Sequence, residues 1–272
     1  MESPRPNVLL VEDDTVTREV VLLLLGRLGY RADVAENGIE ALAAVHAGSY
    51  DLVLMDVHMP EMDGIEATRR IRVELPAQRQ PTVIAMTAGF STDDQVLCRQ
   101  AGMDDFLPKP VHVQELAAVL GARGAPNPAA VTPVRGARDA PVYDPTVLVA
   151  LAADMGAEGE EVRRDLIETY LSQDEHTVRA ITAAGHDGDG EALAFTAHAL
   201  KAASATLGLL ALSGAATDID AACRTAAAPV DIALAAAGLV AECRRAAAAL
   251  RGALQAEPGR QIPAEAPPAP GT

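Results

Sequence analysis

Aromatic residues are nearly missing from this chain of 272 residues: three Phe, four Tyr and no Trp. Its cores must therefore be aliphatic. Cysteine is also scarce. Cys98, Cys223 and Cys243 are odd in number and far apart, with no CxxC or Cys/His cluster, so reduced thiols in a cytosolic protein are the simplest expectation. Positive charge is short as well, with 22 Lys and Arg against 38 Asp and Glu and a net charge of -16. Phosphate backbones and anionic lipid repel such a chain, so nucleic acid and membrane are not expected partners. Acidity of this kind suits solubility, a basic partner or a divalent cation. Long apolar runs are absent too. The opening "MESPRPNVLLVEDD" meets three acids at once and is no signal peptide, so a cytoplasmic location is expected.

What is present falls into two patterns. Across residues 7–120, short apolar runs of strand length ("NVLLV", "DLVLM", "TVIAM", with the weaker "RADVA" and "DDFLP") alternate with amphipathic segments at 14–28, 37–48, 64–75, 91–101 and 112–121. Near-continuous apolar strands alternating with helices predict a doubly wound, five-stranded parallel sheet covered on both faces. Residues 121–141 hold four prolines and three glycines and read as a flexible linker. From 142 to 254 only helical patterns remain, at about 144–154, 159–184, 189–207, 209–226 and 230–254, which predicts an all-α antiparallel bundle. The expected organisation is thus an α/β domain at 1–121, a linker at 122–141, a bundle at 142–254 and a disordered tail at 255–272. The Met start and this tail read as a free-standing protein.

In an open parallel sheet, ligands bind beyond the carboxyl ends of the strands. There the sequence supplies Glu12, Asp13 and Asp14 after the first strand, Asp56 after the third, Thr87 after the fourth and Lys109 after the fifth. Asp14 is expected to cap the following helix. Carboxylates converging in a cleft repel one another unless a cation sits among them, and oxygen ligands suit Mg²⁺. An Asp beside such a cation can attack phosphorus and form an acyl phosphate. Lys109 would neutralise the added charge and Thr87 would donate a hydrogen bond.

Together "VLLVEDD", "DLVLMDVHMPEMDG", "IAMTAG" and "DDFLPKP" resemble the receiver domain of two-component response regulators over about residues 7–121. That resemblance implies a flavodoxin-like fold, with Asp56 as phosphoryl acceptor. It implies a Mg²⁺ site of Glu12, Asp13, Asp56 and the backbone carbonyl of His58, and phosphoryl contacts from Thr87 and Lys109. A cis Lys109-Pro110 bond, a switch aromatic at Phe106, and a loop shaped by Pro60 and Gly64 also follow from it. The imidazole of His58 is not expected to ligate a hard cation; with Gly89 it would set how water reaches the acyl phosphate.

The second half carries "LAFTAHALKAASATLG", residues 193–208. On a helix, Leu193, Ala197, Leu200, Ser204 and Leu207 share an apolar stripe, while Ala194, His198, Lys201 and Ala205 lie opposite. His198 is thus predicted to be exposed among small residues, with Lys201 one turn on. A solvated face would also carry such a pair. A neutral imidazole is a competent nucleophile near neutral pH, and Lys201 could stabilise its phosphorylated form. "HALKAASATLG" resembles the histidine phosphotransfer domain, a helical bundle, except that Ala202 stands where that family has Gly. His46, His112, His176 and His186 read as surface residues, His186 in a turn.

The two resemblances imply a phosphorelay protein exchanging phosphoryl groups between Asp56 and His198. Its partners would be an upstream sensor histidine kinase and a downstream response regulator or phosphotransfer protein. A transient receiver dimer could use the 91–101 helix and the fifth strand. Two alternatives stay open: a response regulator whose bundle only binds or dimerises, and the detached C-terminal part of a hybrid histidine kinase. No ATP-binding domain is recognisable between 120 and 272.

Overall fold

A computed structural model describes residues 6–87, 92–121, 141–224 and 231–256. Residues 122–140 of the linker expected at 122–141, and residues 257–272 of the tail expected at 255–272, lie outside the described residues; Gln255 still belongs to the last helix.

Five strands form one parallel sheet in the order β2-β1-β3-β4-β5: β1 (Val8–Val11), β2 (Ala32–Ala35), β3 (Leu52–Asp56), β4 (Thr82–Thr87) and β5 (Asp105–Pro108). Every residue of β1 and β3 is buried, as helices on both faces require. Edge strand β2 exposes its middle residues. Because side chains alternate across a strand, Val8 and Leu10 face one layer and Leu9 and Val11 the other. The first layer holds α1 (Thr15–Arg27) and α5 (Val113–Gly121). The second holds α2 (Gly38–Ala47), α3 (Gly64–Glu74) and α4 (Thr92–Ala101). Asp14, Asn37 and Asp63 each accept a hydrogen bond from the first turn of the helix they precede, which starts α1, α2 and α3 just past a strand. Strand order reverses between β1 and β3, so their carboxyl ends open the crevice.

Beyond residue 144 the described residues form α6 (Pro145–Met155), α7 (Gly159–Asp187), α8 (Gly190–Thr206), α9 (Leu210–Arg224) and α10 (Ile232–Gln255). The core is aliphatic. Leu193, Leu207, Leu212, Leu239 and Leu250 are essentially fully buried, each contributing roughly 1.5–3 kcal/mol. The structure corrects the expected turn at His186. α7 continues to Asp187, so His186 lies, exposed, in its last turn. Gly185 does not break the helix but lets α10 approach. A methyl there would sit 2.5 Å from the Ala236 Cβ.

The two halves are packed together. α1 lies against α7 and α8, and the apolar cluster under Val16, Val20 and Leu24 runs without interruption to Leu166, Leu200 and Ala203. No helix among the described residues is long and apolar enough to cross a membrane.

Candidate functional site

The carboxyl ends of β1, β3, β4 and β5 bring the expected side chains to one crevice. Glu12 is completely buried, Asp56 and Thr87 are buried and Asp13 is half-buried. Carboxylate oxygens of Glu12, Asp13 and Asp56 all lie within 4.8 Å of one another. Lys109 reaches across from β5. Its Nζ is 2.8 Å from Asp56 Oδ2, donates to Glu12 Oε1 at 2.9 Å and lies 2.7 Å from Glu12 Oε2. The Lys109 amide donates to the Thr87 carbonyl at 2.8 Å, and the Lys109-Pro110 bond is cis. Thr87 thus ends its strand beside Lys109.

The charges do not balance. Two carboxylates within 4.8 Å repel by at least about 3 kcal/mol at an effective dielectric constant near 20. Burial, then the charge of Asp56, pushes the Asp13 carboxyl up to about 7, and the same causes raise Glu12 well above its ordinary value. Burial works against the Lys109 ammonium, yet Asp56 and Glu12 outweigh it and hold the group protonated. One ammonium against three carboxylates leaves surplus negative charge on an all-oxygen donor set. That set fits a hard divalent cation such as Mg²⁺ better than any soft metal.

The surroundings fix this geometry. Arg18, a turn into α1, donates to the carbonyls of Glu12 and Asp13 at 3.0 and 3.3 Å and pairs with Glu36. The His58 amide donates to Asp56 Oδ1 at 3.2 Å. The loop after Asp56 turns through Glu61, a non-glycine residue at φ 64°, before Asp63 caps α3. Gly64 then passes so close to β3 that a Cβ would fall 2.0 Å from the Asp56 carbonyl oxygen. Phe106 is half-buried on β5 with the Arg99 guanidinium 5.4 Å from its ring centre. Gly89 lies outside the described residues.

The second candidate, His198, is on α8, and the expected stripe of Leu193, Ala197, Leu200, Ser204 and Leu207 is buried. Its exposure is corrected. The His198 side chain is only 14% accessible and Ala194 is buried. Two things cover this face. Asp220 on α9 places Oδ2 2.8 Å from His198 Nδ1, and the His58 ring lies 4.2 Å away, centre to centre, tilted by 49°. Arg224, one turn on, binds the other Asp220 oxygen. Burial tends to raise the Asp220 carboxyl, but the hydrogen bond from His198 and the Arg224 charge hold it below its ordinary value. An ionised carboxylate only accepts, so Nδ1 carries the proton and the lone pair of the neutral ring is on Nε2. Lys201 is half-buried one turn along, and its carbonyl accepts from Ser213 Oγ at 3.0 Å. Ala202 is buried, so its methyl is accommodated in the packing. His46, His112, His176 and His186 are exposed.

Sequence reasoning missed Asp220, Arg224 and Arg18. One signal for Asp220 was present. It falls four residues after Ala216 and eight after Leu212, both buried, so it is an acid on an apolar stripe. Its partner lies on another helix, which no local pattern reveals.

A doubly wound sheet with clustered acids and a bridging lysine at its carboxyl edge belongs to the class of α/β domains whose ligand sites lie beyond the carboxyl ends of the strands. Residues 8–121 match the family model described as the response regulator receiver domain, and they form such a domain. They are homologous to receivers of hybrid histidine kinases. The chain is 42% identical over 119 residues to hybrid signal transduction histidine kinase B of Dictyostelium discoideum, covering 40% of this chain and 6% of that protein. It is 40% identical over 120 residues to the aerobic respiration control sensor protein ArcB of Escherichia coli, covering 44% and 15%. Among solved structures, the receiver domain of a Pseudomonas aeruginosa sensor histidine kinase is 40% identical. That match covers 42% of this chain and 93% of that one, with a TM-score of 0.40, and that structure has a magnesium ion coordinated in its active site cleft. The chain spans only a small fraction of the curated relatives' length.

Proposed function

We propose that this chain is a phosphorelay carrier of a two-component system, taking a phosphoryl group on Asp56 and exchanging it with His198. The observation that carries the reading is the His198–Asp220 hydrogen bond, which leaves the Nε2 lone pair as nucleophile. In this reading an Asp56 oxygen attacks phosphorus on a histidine of an upstream sensor histidine kinase, the phosphorus–nitrogen bond breaks, and its electron pair returns to that imidazole. Glu12, Asp13, Asp56 and the His58 carbonyl would hold Mg²⁺. Bound there, the ion offsets negative charge on the phosphoryl oxygens. Lys109, already 2.8 Å from Asp56, neutralises charge on the same group, and Thr87 hydrogen-bonds it. Phe106 follows Thr87 as the switch, reporting phosphorylation to the α4 face, where Val96 and Leu97 are exposed for a transient dimer.

Transfer to the bundle then needs no added base. His198 Nε2 gives its lone pair to phosphorus as the bond to the Asp56 oxygen breaks, and that electron pair returns to the carboxylate. The Nδ1 proton stays on the ring, and Asp220 offsets the imidazolium charge. Lys201 supports the phosphorylated ring. The reverse step reloads Asp56, so a downstream response regulator or phosphotransfer protein can draw on either site.

Labelling with a small phosphodonor in Mg²⁺ tests this. The whole chain should acquire base-labile label on Asp56 and acid-labile, base-stable label on His198. Asp56→Asn should show neither and His198→Gln only the first. A wild-type chain that never acquires the acid-labile label would leave the bundle as a binding module.

A further inference from the structure

We infer that phosphoryl transfer between Asp56 and His198 runs within a single chain, the helical bundle being docked on its own phosphoryl pocket. This rests on the carrier reading above and adds to it the identity of the partner.

Four features of the seam support this. First, the His198 ring stands 4.2 Å from the ring of His58, two residues along from Asp56. His58 belongs to the loop that frames the pocket, so His198 meets the pocket mouth and not a remote surface. Second, α1, which starts directly after the acidic turn, packs on α7 and on α8, the helix that carries His198. Val16, at 1% exposure, is among the seam residues. Third, a small cavity of about 70 Å³ lies between the halves. It is lined by Asp14 and Val16 on one side and by Tyr170, Thr196, Ala199 and Ala203 on the other. Fourth, one apolar cluster spans both halves. The bare alanine face around His198 gains a reason here. Long solvated side chains on it would hold the receiver off, whereas methyl groups let it approach to contact.

In this closed arrangement the bond from phosphorus to the Asp56 oxygen breaks as the bond to His198 Nε2 forms, and the Asp56 carboxylate recovers the electron pair. Tethering makes the step first order. The chain's own receiver is present at an effective concentration on the order of millimolar, so at micromolar protein it outcompetes other chains. Closure also covers the faces that an external kinase or acceptor must reach, so exchange with partners needs the halves to part.

The test compares wild type with an equimolar mixture of two full-length chains, Asp56→Asn and His198→Gln. Acetyl phosphate and Mg²⁺ serve as donor and cation, and acid-labile label is followed at about 1 and about 30 µM. In the mixture only transfer between chains can label His198. The expected result is a wild-type rate independent of concentration and a mixture at least about 100-fold slower at the lower one. A third chain, Ala199→Arg, alters the seam but neither phosphoryl site. It should keep label on Asp56 and lose most of the concentration-independent transfer. A mixture as fast as wild type, a wild-type rate that scales with concentration, or an Ala199→Arg chain that behaves as wild type would overturn transfer within the chain, leaving the carrier reading intact. Absence of acid-labile label from both wild type and mixture would overturn the carrier reading itself.

Discussion

His198 Nδ1 sits 2.8 Å from Asp220 Oδ2, and Arg224 grips the other oxygen of that carboxylate. The pair selects one tautomer of the ring and one orientation. Asp220→Asn can present its NH₂ group to the imidazole instead and reverse the tautomer. The expected outcome is a fall of at least about 100-fold in phosphoryl transfer to His198, with labelling of Asp56 unchanged. Asp220→Glu should recover part of the rate. Rapid-quench labelling separates the two steps.

The same carboxylate makes a pH prediction. Its value is held below that of the unfolded chain, so it favours the folded state above the ordinary carboxylate range, and this contribution is lost as pH falls through the folded value. At neutral pH, Asp220→Ala should cost roughly 2 kcal/mol, since the hydrogen bond involves a charged group. The gap between wild type and variant in urea melts should close as pH drops below about 4. A gap that stays constant well below that pH would remove the electrostatic account.

Surplus negative charge in the receiver crevice leads to a third expectation. Mg²⁺ should raise the melting temperature of the wild-type chain, because it binds the folded acids and not the unfolded ones. In Asp13→Asn that rise should largely vanish, while the metal-free variant melts no lower than metal-free wild type, since like-charge repulsion is relieved. Chelation by EDTA should abolish labelling of Asp56 without unfolding the domain. Differential scanning calorimetry with and without the ion reads the first two effects.

Gly64 makes a purely steric prediction. An Ala methyl would overlap the Asp56 carbonyl, so β3 and α3 must move apart. Gly64→Ala should destabilise the receiver by about 3 kcal/mol and slow phosphorylation of Asp56 through displacement of its backbone. Denaturant titration gives the first number.

Ala202 is where this chain departs from the phosphotransfer pattern. Its methyl is buried within α8, so Ala202→Gly should cost about 1 kcal/mol of bundle stability through helix propensity. Transfer to His198 should be unchanged. A faster variant would mean that the methyl obstructs the ring.

Much of this was legible in the residues themselves. Continuous apolar runs such as VLLV and LVLMD can be satisfied only between two helical layers, so the parallel sheet followed from pattern alone. The acids, Thr87 and Lys109 then fell at strand ends, and strand ends in a doubly wound sheet converge. Asp14 was readable as a cap for the same local reason. His186 was misread because a glycine that breaks helices in isolation can also mark close packing, and Gly185 does the latter against Ala236.

Local periodicity determined which residues form strands and helices and which face of α8 is apolar, because those depend on neighbours two to four positions away. Only the tertiary structure decided what covers the other face. His198 and Asp220 are 22 residues apart on different helices, and His58 comes from the other half of the chain. A bare alanine surface reads the same whether water, a partner or the chain's own receiver lies on it. The choice among them is made by the packing of α1 on α7 and α8, a contact between distant segments that no spacing within either one encodes.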